Sequence, residues 1–74
     1  MKLKELKPKY NKIELGSSAE NRSYCKVLGL ISLEKAVKKY GDTEVLSVKD
    51  YNDTKTTSVI IEDKPEYEGL IIRW

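Results

Sequence analysis

The spacing of apolar and polar positions changes several times along the chain, and each change predicts an element. Leu3 and Leu6 are three apart, as on one face of a helix, and Pro8 biases Lys7 away from helical geometry, so the opening helix is a turn or two at most. In K-I-E-L at 12–15, Ile13 and Leu15 alternate with Lys12 and Glu14, the period of a half-buried strand. G-S-S-A-E-N-R at 16–22 is rich in turn formers and reads as a loop. S-Y-C-K-V-L-G-L-I at 23–31 is apolar and branched enough to return as the second strand of a hairpin, with Gly29 as a candidate bulge.

The period then becomes helical. Leu33, Ala36, Val37 and Tyr40 fall at i, i+3, i+4 and i+7. Ser32 is a good N-cap, Glu34 and the pair Lys38 and Lys39 complement the two ends of the dipole, and Gly41 is placed as the C′ residue. A helix of eight or nine residues does not persist alone in water, so its apolar face must dock on a sheet. Beyond Gly41 the period is two: strands at 44–51 and 56–63 flank a turn at 52–55, and K-P-E-Y-E-G at 64–69 turns again before L-I-I-R-W. The predicted order is β-β-α-β-β-β, an α+β single domain over 1–74, with four or five antiparallel strands covered on one face by one helix. Leu70, Ile72 and Trp74 point one way in the last strand and Ile71 and Arg73 the other. Burying that strand is expected to contribute several kcal/mol at about 25 cal/mol per Å².

Composition limits the chemistry. The chain has 74 residues, no histidine and one cysteine, Cys25, so it has no intramolecular disulfide, no standard Ser-His or Cys-His pair and no ligand set for a closed zinc site. Cys25 reads as a small buried or half-buried hydrophobe. No phosphate-binding glycine loop, signal peptide or membrane-length apolar run is present, so the expectation is a cytoplasmic protein that is not an enzyme and needs no metal or cofactor. A domain this small buries only about 60% of its unfolded surface, and a partner chain is the staple that remains open to it.

Net charge is +2, but it is unevenly spread: residues 1–40 carry ten basic and four acidic side chains, residues 41–74 four basic and eight acidic. Two candidate surfaces follow. Asp50, Tyr51, Asp53, Glu62, Asp63, Glu66, Tyr67 and Glu68 form an acidic, tyrosine-bearing set suited to a basic partner protein. Lys9, Tyr10, Lys12, Arg22, Tyr24 and Lys26 form a basic set suited to nucleic acid.

The opening M-K-L-K-E-L, the helix S-L-E-K-A-V-K-K-Y-G-D, and the strands E-V-L-S-V-K-D-Y-N-D and T-S-V-I-I-E resemble the very small proteins encoded by phages of Gram-positive bacteria. The stretch D-Y-N-D-T-K-T-T-S-V-I-I-E-D-K-P-E-Y-E-G-L-I-I-R-W is similar in order to the C-terminal strands of the phage uracil-DNA glycosylase inhibitor family, although no counterpart of that family's inserted Glu-Ser-Ile segment is present. These resemblances imply stoichiometric inhibition or modulation of a host protein, such as a defence or nucleic-acid-processing enzyme. The alternatives are a nucleic-acid-binding accessory protein and an oligomer that sequesters a nucleotide. A homodimer through an exposed sheet edge is a further expectation.

Overall fold

The computed structural model describes residues 1–19 and 23–73. A single 3-10 turn at Leu3–Glu5 precedes β1 (Lys12–Ser18), β2 (Tyr24–Ser32), α1 (Leu33–Tyr40), β3 (Val45–Tyr51), β4 (Thr56–Glu62) and β5 (Leu70–Arg73). The α+β class and the element order are those the periodicity predicts. Strand order is β3-β4-β1-β2-β5. The sheet is mixed, because β4 returns from the β3 hairpin alongside β1 and runs parallel to it, while the other three pairings are antiparallel. Strand β5 does not lie beside the hairpin it follows: residues 63–69 carry the chain across to the far edge, where β5 pairs with β2.

Gly16, Ser17 and Ser18, expected in a loop, instead complete β1. Their smallness serves packing rather than turning: a Cβ on Gly16 would lie 3.0 Å from Cys25 Sγ and 3.1 Å from the tip of Ile60. The two serines are buried between neighbouring strands, and Ser18 donates to the Tyr24 carbonyl at 2.7 Å. Gly29 does mark a bulge. Leu15 faces Gly29 and Gly16 faces Val27, which leaves Leu28 as the extra residue, and Gly29 adopts φ +132°, a conformation that disfavours any side chain.

The Ser32 hydroxyl accepts from the Lys35 N–H at 3.3 Å and caps α1. Ala36 is buried, and Leu33, Val37 and Tyr40 pack half-buried around it, so the 3.6-residue stripe is the docked face. Gly41 ends the helix with φ −55°, in right-handed rather than left-handed geometry, and donates to the Val37 carbonyl at 2.9 Å.

The core is Leu3, Ile13, Leu15, Ala36, Val59 and Ile61. Ile13, Leu15 and Ser17 of β1 and Thr57, Val59 and Ile61 of β4 alternate onto one face of the sheet. Packed on that face are α1, the opening turn through Leu3, and the 63–69 connection through Tyr67, whose ring meets Tyr40 edge-on at 4.8 Å. The opposite face receives Glu14, Gly16, Cys25, Val27, Leu30, Ile60, Leu70 and Ile72, and no helix lies on it. The expectation that the last strand is buried is therefore corrected. Leu70, Ile71 and Ile72 are 71%, 45% and 47% exposed, because β5 is the outermost strand: Leu70 and Ile72 face the side without a helix, and Ile71 faces the helix side but lies beyond a helix that packs on β1 and β2. Trp74 lies outside the described residues.

Candidate functional site

Two arrangements stand out: a polar cluster beneath the 63–69 connection, and a bare apolar surface where the helix-free face meets the β5 edge. Alternation puts Ser17, Tyr24, Lys26 and Arg73 on the covered face near one end of the sheet, and Asp63 continues β4 on that same face. The Asp63 carboxylate accepts from Ser17 Oγ at 2.8 Å and from Tyr24 Oη at 2.5 Å, and pairs with Lys26 Nζ at 3.0 Å. Lys26 Nζ also donates to the Tyr67 carbonyl at 2.9 Å and to the Lys64 carbonyl at 3.3 Å. The Lys26 and Asp63 side chains are 9% and 10% exposed, so this ion pair stays in place as a desolvated, fully hydrogen-bonded clamp between β2 and the connection.

Burial alone would push the Asp63 carboxyl up, but hydrogen bonds from Tyr24, Lys26 and Ser17 together outweigh it and hold the group below the usual carboxylate range. The same bond, with burial added, raises the Tyr24 phenol. Arg73 lies over the Tyr24 ring at 5.8 Å and ties the end of β5 to this cluster. Among the described residues no buried side-chain nitrogen or oxygen lacks a hydrogen-bond partner, so the cluster is a joint that positions β5.

The bare surface is different in kind. Val27, Leu30, Leu70 and Ile72 are 39%, 55%, 71% and 47% exposed on the helix-free face, around half-buried Cys25 and Ile60. Apolar patches of a few hundred Å² on so small a protein mark interaction sites. Burial, followed by the Glu14 charge, pushes the Cys25 thiol up, so it takes its place in this surface as a protonated, weakly reactive group. The exposed carboxylates of Glu62, Glu66 and Glu68 lie elsewhere: Glu62 ends β4, which β1 and β2 separate from β5, and the other two line a hollow with Leu28, Lys39, Tyr40 and Tyr67 on the covered face.

The sets expected from sequence are distributed differently. Asp50, Tyr51 and Asp53 lie at the β3–β4 hairpin, and Glu62, Asp63, Glu66, Tyr67 and Glu68 toward the opposite end of β4. Asp50 accepts from Thr57 Oγ1 at 2.6 Å, and Tyr67 is held against Tyr40 with its hydroxyl bonded to Thr43. The basic set divides as well. Lys9 and Tyr10 both reach Asn52 Oδ1 at the hairpin, with Lys12 at that end of β1, whereas Tyr24 and Lys26 belong to the clamp; Arg22 lies outside the described residues.

Part of the charge difference between the two halves of the sequence is taken up in contacts between them. Among the described residues the three ion pairs each join the basic half to the acidic half: the N-terminal amine to Glu44 at 2.9 Å, Lys4 to Asp42 at 2.8 Å, and Lys26 to Asp63. Among the described residues no group of His, Cys, Asp or Glu side chains has the arrangement of a metal site, and no helix is long and apolar enough to cross a membrane.

Sequence reasoning missed Val27, Leu30, Leu70 and Ile72 as surface residues. The signal was present in Y-C-K-V-L-G-L-I, where both alternating sets are apolar although only one helix is available to cover them. Comparison of the chain with protein-family profiles, with curated proteins and with solved structures finds no match.

Proposed function

We propose that this protein acts by stoichiometric binding to another protein, inhibiting or modulating it in the manner of the small phage-encoded proteins its sequence resembles. The observation that supports this reading is the helix-free face, on which Val27, Leu30, Leu70 and Ile72 lie exposed. An exposed apolar face of this kind complements an apolar patch on a partner protein. The acidic set does not share that contact: its hairpin members lie far along β4, Glu66 and Glu68 lie on the covered face, and Asp63 acts inward as the clamp.

The test is capture from host lysate on the immobilised protein, with nuclease treatment and washes at a few hundred mM salt. One stoichiometric protein is expected to be retained by the wild type. It is expected to be lost from a Leu30→Glu, Ile72→Glu variant and kept by Glu66→Lys, Glu68→Lys, whose carboxylates lie on the covered face. Equal capture by all three forms would remove this surface from the account.

A second reading, nucleic-acid binding, is favoured by one observation. Lys35, Lys38 and Lys39 of α1 line a trough with Lys12, over a floor of Leu30 and Ile31. Retention on DNA or RNA that falls steeply with salt and is abolished by Lys35→Glu, Lys38→Glu would move the function to that trough.

A further inference from the structure

The two edges of the sheet are finished in opposite ways. On the β3 side the N-terminal residues lie alongside the strand: Lys2 bridges Glu44 in antiparallel fashion, and Val45 N–H donates to the Met1 carbonyl at 2.8 Å. A register shift between Val45 and Ser47 bends β3, and Lys49 and Asp50 stand exposed along it. Bulges, edge charges and covering segments are the devices by which sheet edges avoid pairing. On the β5 side the described residues show no bulge and no covering segment, and Arg73 is the strand's one charge: Leu70–Arg73 pairs in unbroken register with β2, all four side chains are exposed, and three are aliphatic.

We propose that the β5 edge is completed by a second copy of this chain, pairing antiparallel about a twofold axis to give one ten-stranded sheet. Charge along the segment selects the orientation. It is acidic where it begins, at Glu66 and Glu68, and basic where it ends, at Arg73, so antiparallel self-pairing sets opposite signs against each other and parallel pairing sets like against like. A register centred on Ile71 keeps the two helix-free faces on the same side. It places Leu70 against the second copy's Ile72, and Gly69, with Glu68 beside it, against the second copy's Arg73.

Because the β3 edge is covered at its start and bulged and charged beyond it, this pairing consumes the open edge of each copy and closes at two. The apolar face of each copy, with Leu70 and Ile72 at the seam, then becomes one continuous surface. Four residues per strand form an interface at the small end of the specific range, so the expected dissociation constant is about 10–100 µM. The pairing stands independently of the binding function proposed above, since it requires only the purified chain.

Sedimentation equilibrium from ~1 µM to ~1 mM tests it on four samples: the wild type, Ile71→Lys, Leu70→Lys, and an equimolar mixture of Ile71→Lys with Ile71→Glu, each checked for folding by circular dichroism. The wild type is expected to rise from its 8.5 kDa monomer mass to twice that value and no further. Either lysine variant is expected to weaken association at least about tenfold, and the mixture to recover it, because opposite charges then face each other at the twofold axis. Leu70, the more exposed position, preserves the test if position 71 tolerates no charge. A wild type monomeric throughout, a mass climbing past the dimer, or lysine variants that associate like the wild type would each overturn the proposal.

Discussion

The β3 and β5 edges belong to one sheet but depend on different parts of the chain. The β3 edge is secured at the surface: backbone from Met1 to Leu3 lies against Thr43 to Val45, with the exposed amine–Glu44 pair beside it. The β5 edge is secured from below. Its strand is four residues long, its apolar side chains contribute little burial, and its place is set by the buried Lys26–Asp63 clamp, the stacking of Arg73 on Tyr24, and the close passage of Gly69 over Val27. The difference shows that a strand can be held in a sheet without its own side chains being covered, when the connection leading to it supplies the anchor. That leaves its apolar surface and outer backbone free to meet another chain.

Removing the anchor is the most severe way to break the contrast. Lys26→Met leaves the Asp63 carboxylate and the Lys64 and Tyr67 carbonyls without their buried partner, and is expected to cost about 3–5 kcal/mol. For a domain with about 5 kcal/mol in total this means a largely unfolded chain at 37 °C by circular dichroism. Adding Asp63→Asn is expected to return part of the loss, since no unpaired charge is then buried.

Gly69→Ala is next. Its Cβ would fall 2.2 Å from the Val27 carbonyl oxygen, so β5 must move away from β2, at an expected cost of about 1–3 kcal/mol in thermal unfolding. Hydrogen exchange at β5 should accelerate while β3 is unchanged.

Acid gives a graded version of the first break. The folded chain holds the Asp63 carboxyl below its ordinary value of about 3.9, so the unfolded state binds the proton more readily. The clamp's contribution is therefore complete above about pH 4 and is lost as pH falls through the folded value. The stability-against-pH curve of Asp63→Asn should be flatter than that of the wild type below pH 4.

The smallest effect is expected at the other edge. Glu44→Gln removes an ion pair whose partners are about half exposed, and should cost well under 1 kcal/mol, a shift of no more than a few degrees in Tm.

Most of the fold was legible because its elements are short and strongly patterned. The stripe of Leu33, Ala36, Val37 and Tyr40, the Ser32 cap and the Gly29 bulge all express local physics that a sequence carries directly. What was not legible was non-local. Gly16-Ser17-Ser18 has turn composition, and only the nearness of Cys25 and Ile60 explains why small residues are needed inside a strand. Asp63 and Lys26 looked like solvated charges of two opposed surfaces; they are one buried pair because β4 aligns parallel to β1 and brings residues 37 positions apart into contact. The run L-I-I-R-W reads as core by composition, and its described part is exposed because strand order places it at an edge. The helix-free face followed from counting one helix against two apolar faces in β2, an inference that needs the sheet to be known first.

The most direct test of the central claim, that β5 is an anchored strand with an open outer edge completed by association, is amide hydrogen exchange followed by NMR at ~10 µM and at ~1 mM, compared with the expected dissociation range. The outward-facing amides of β5 should exchange fast in the dilute sample and become protected in the concentrated one, while those of β3 and β4 keep the same rates. Protection at β5 that is already high and independent of concentration would contradict the account.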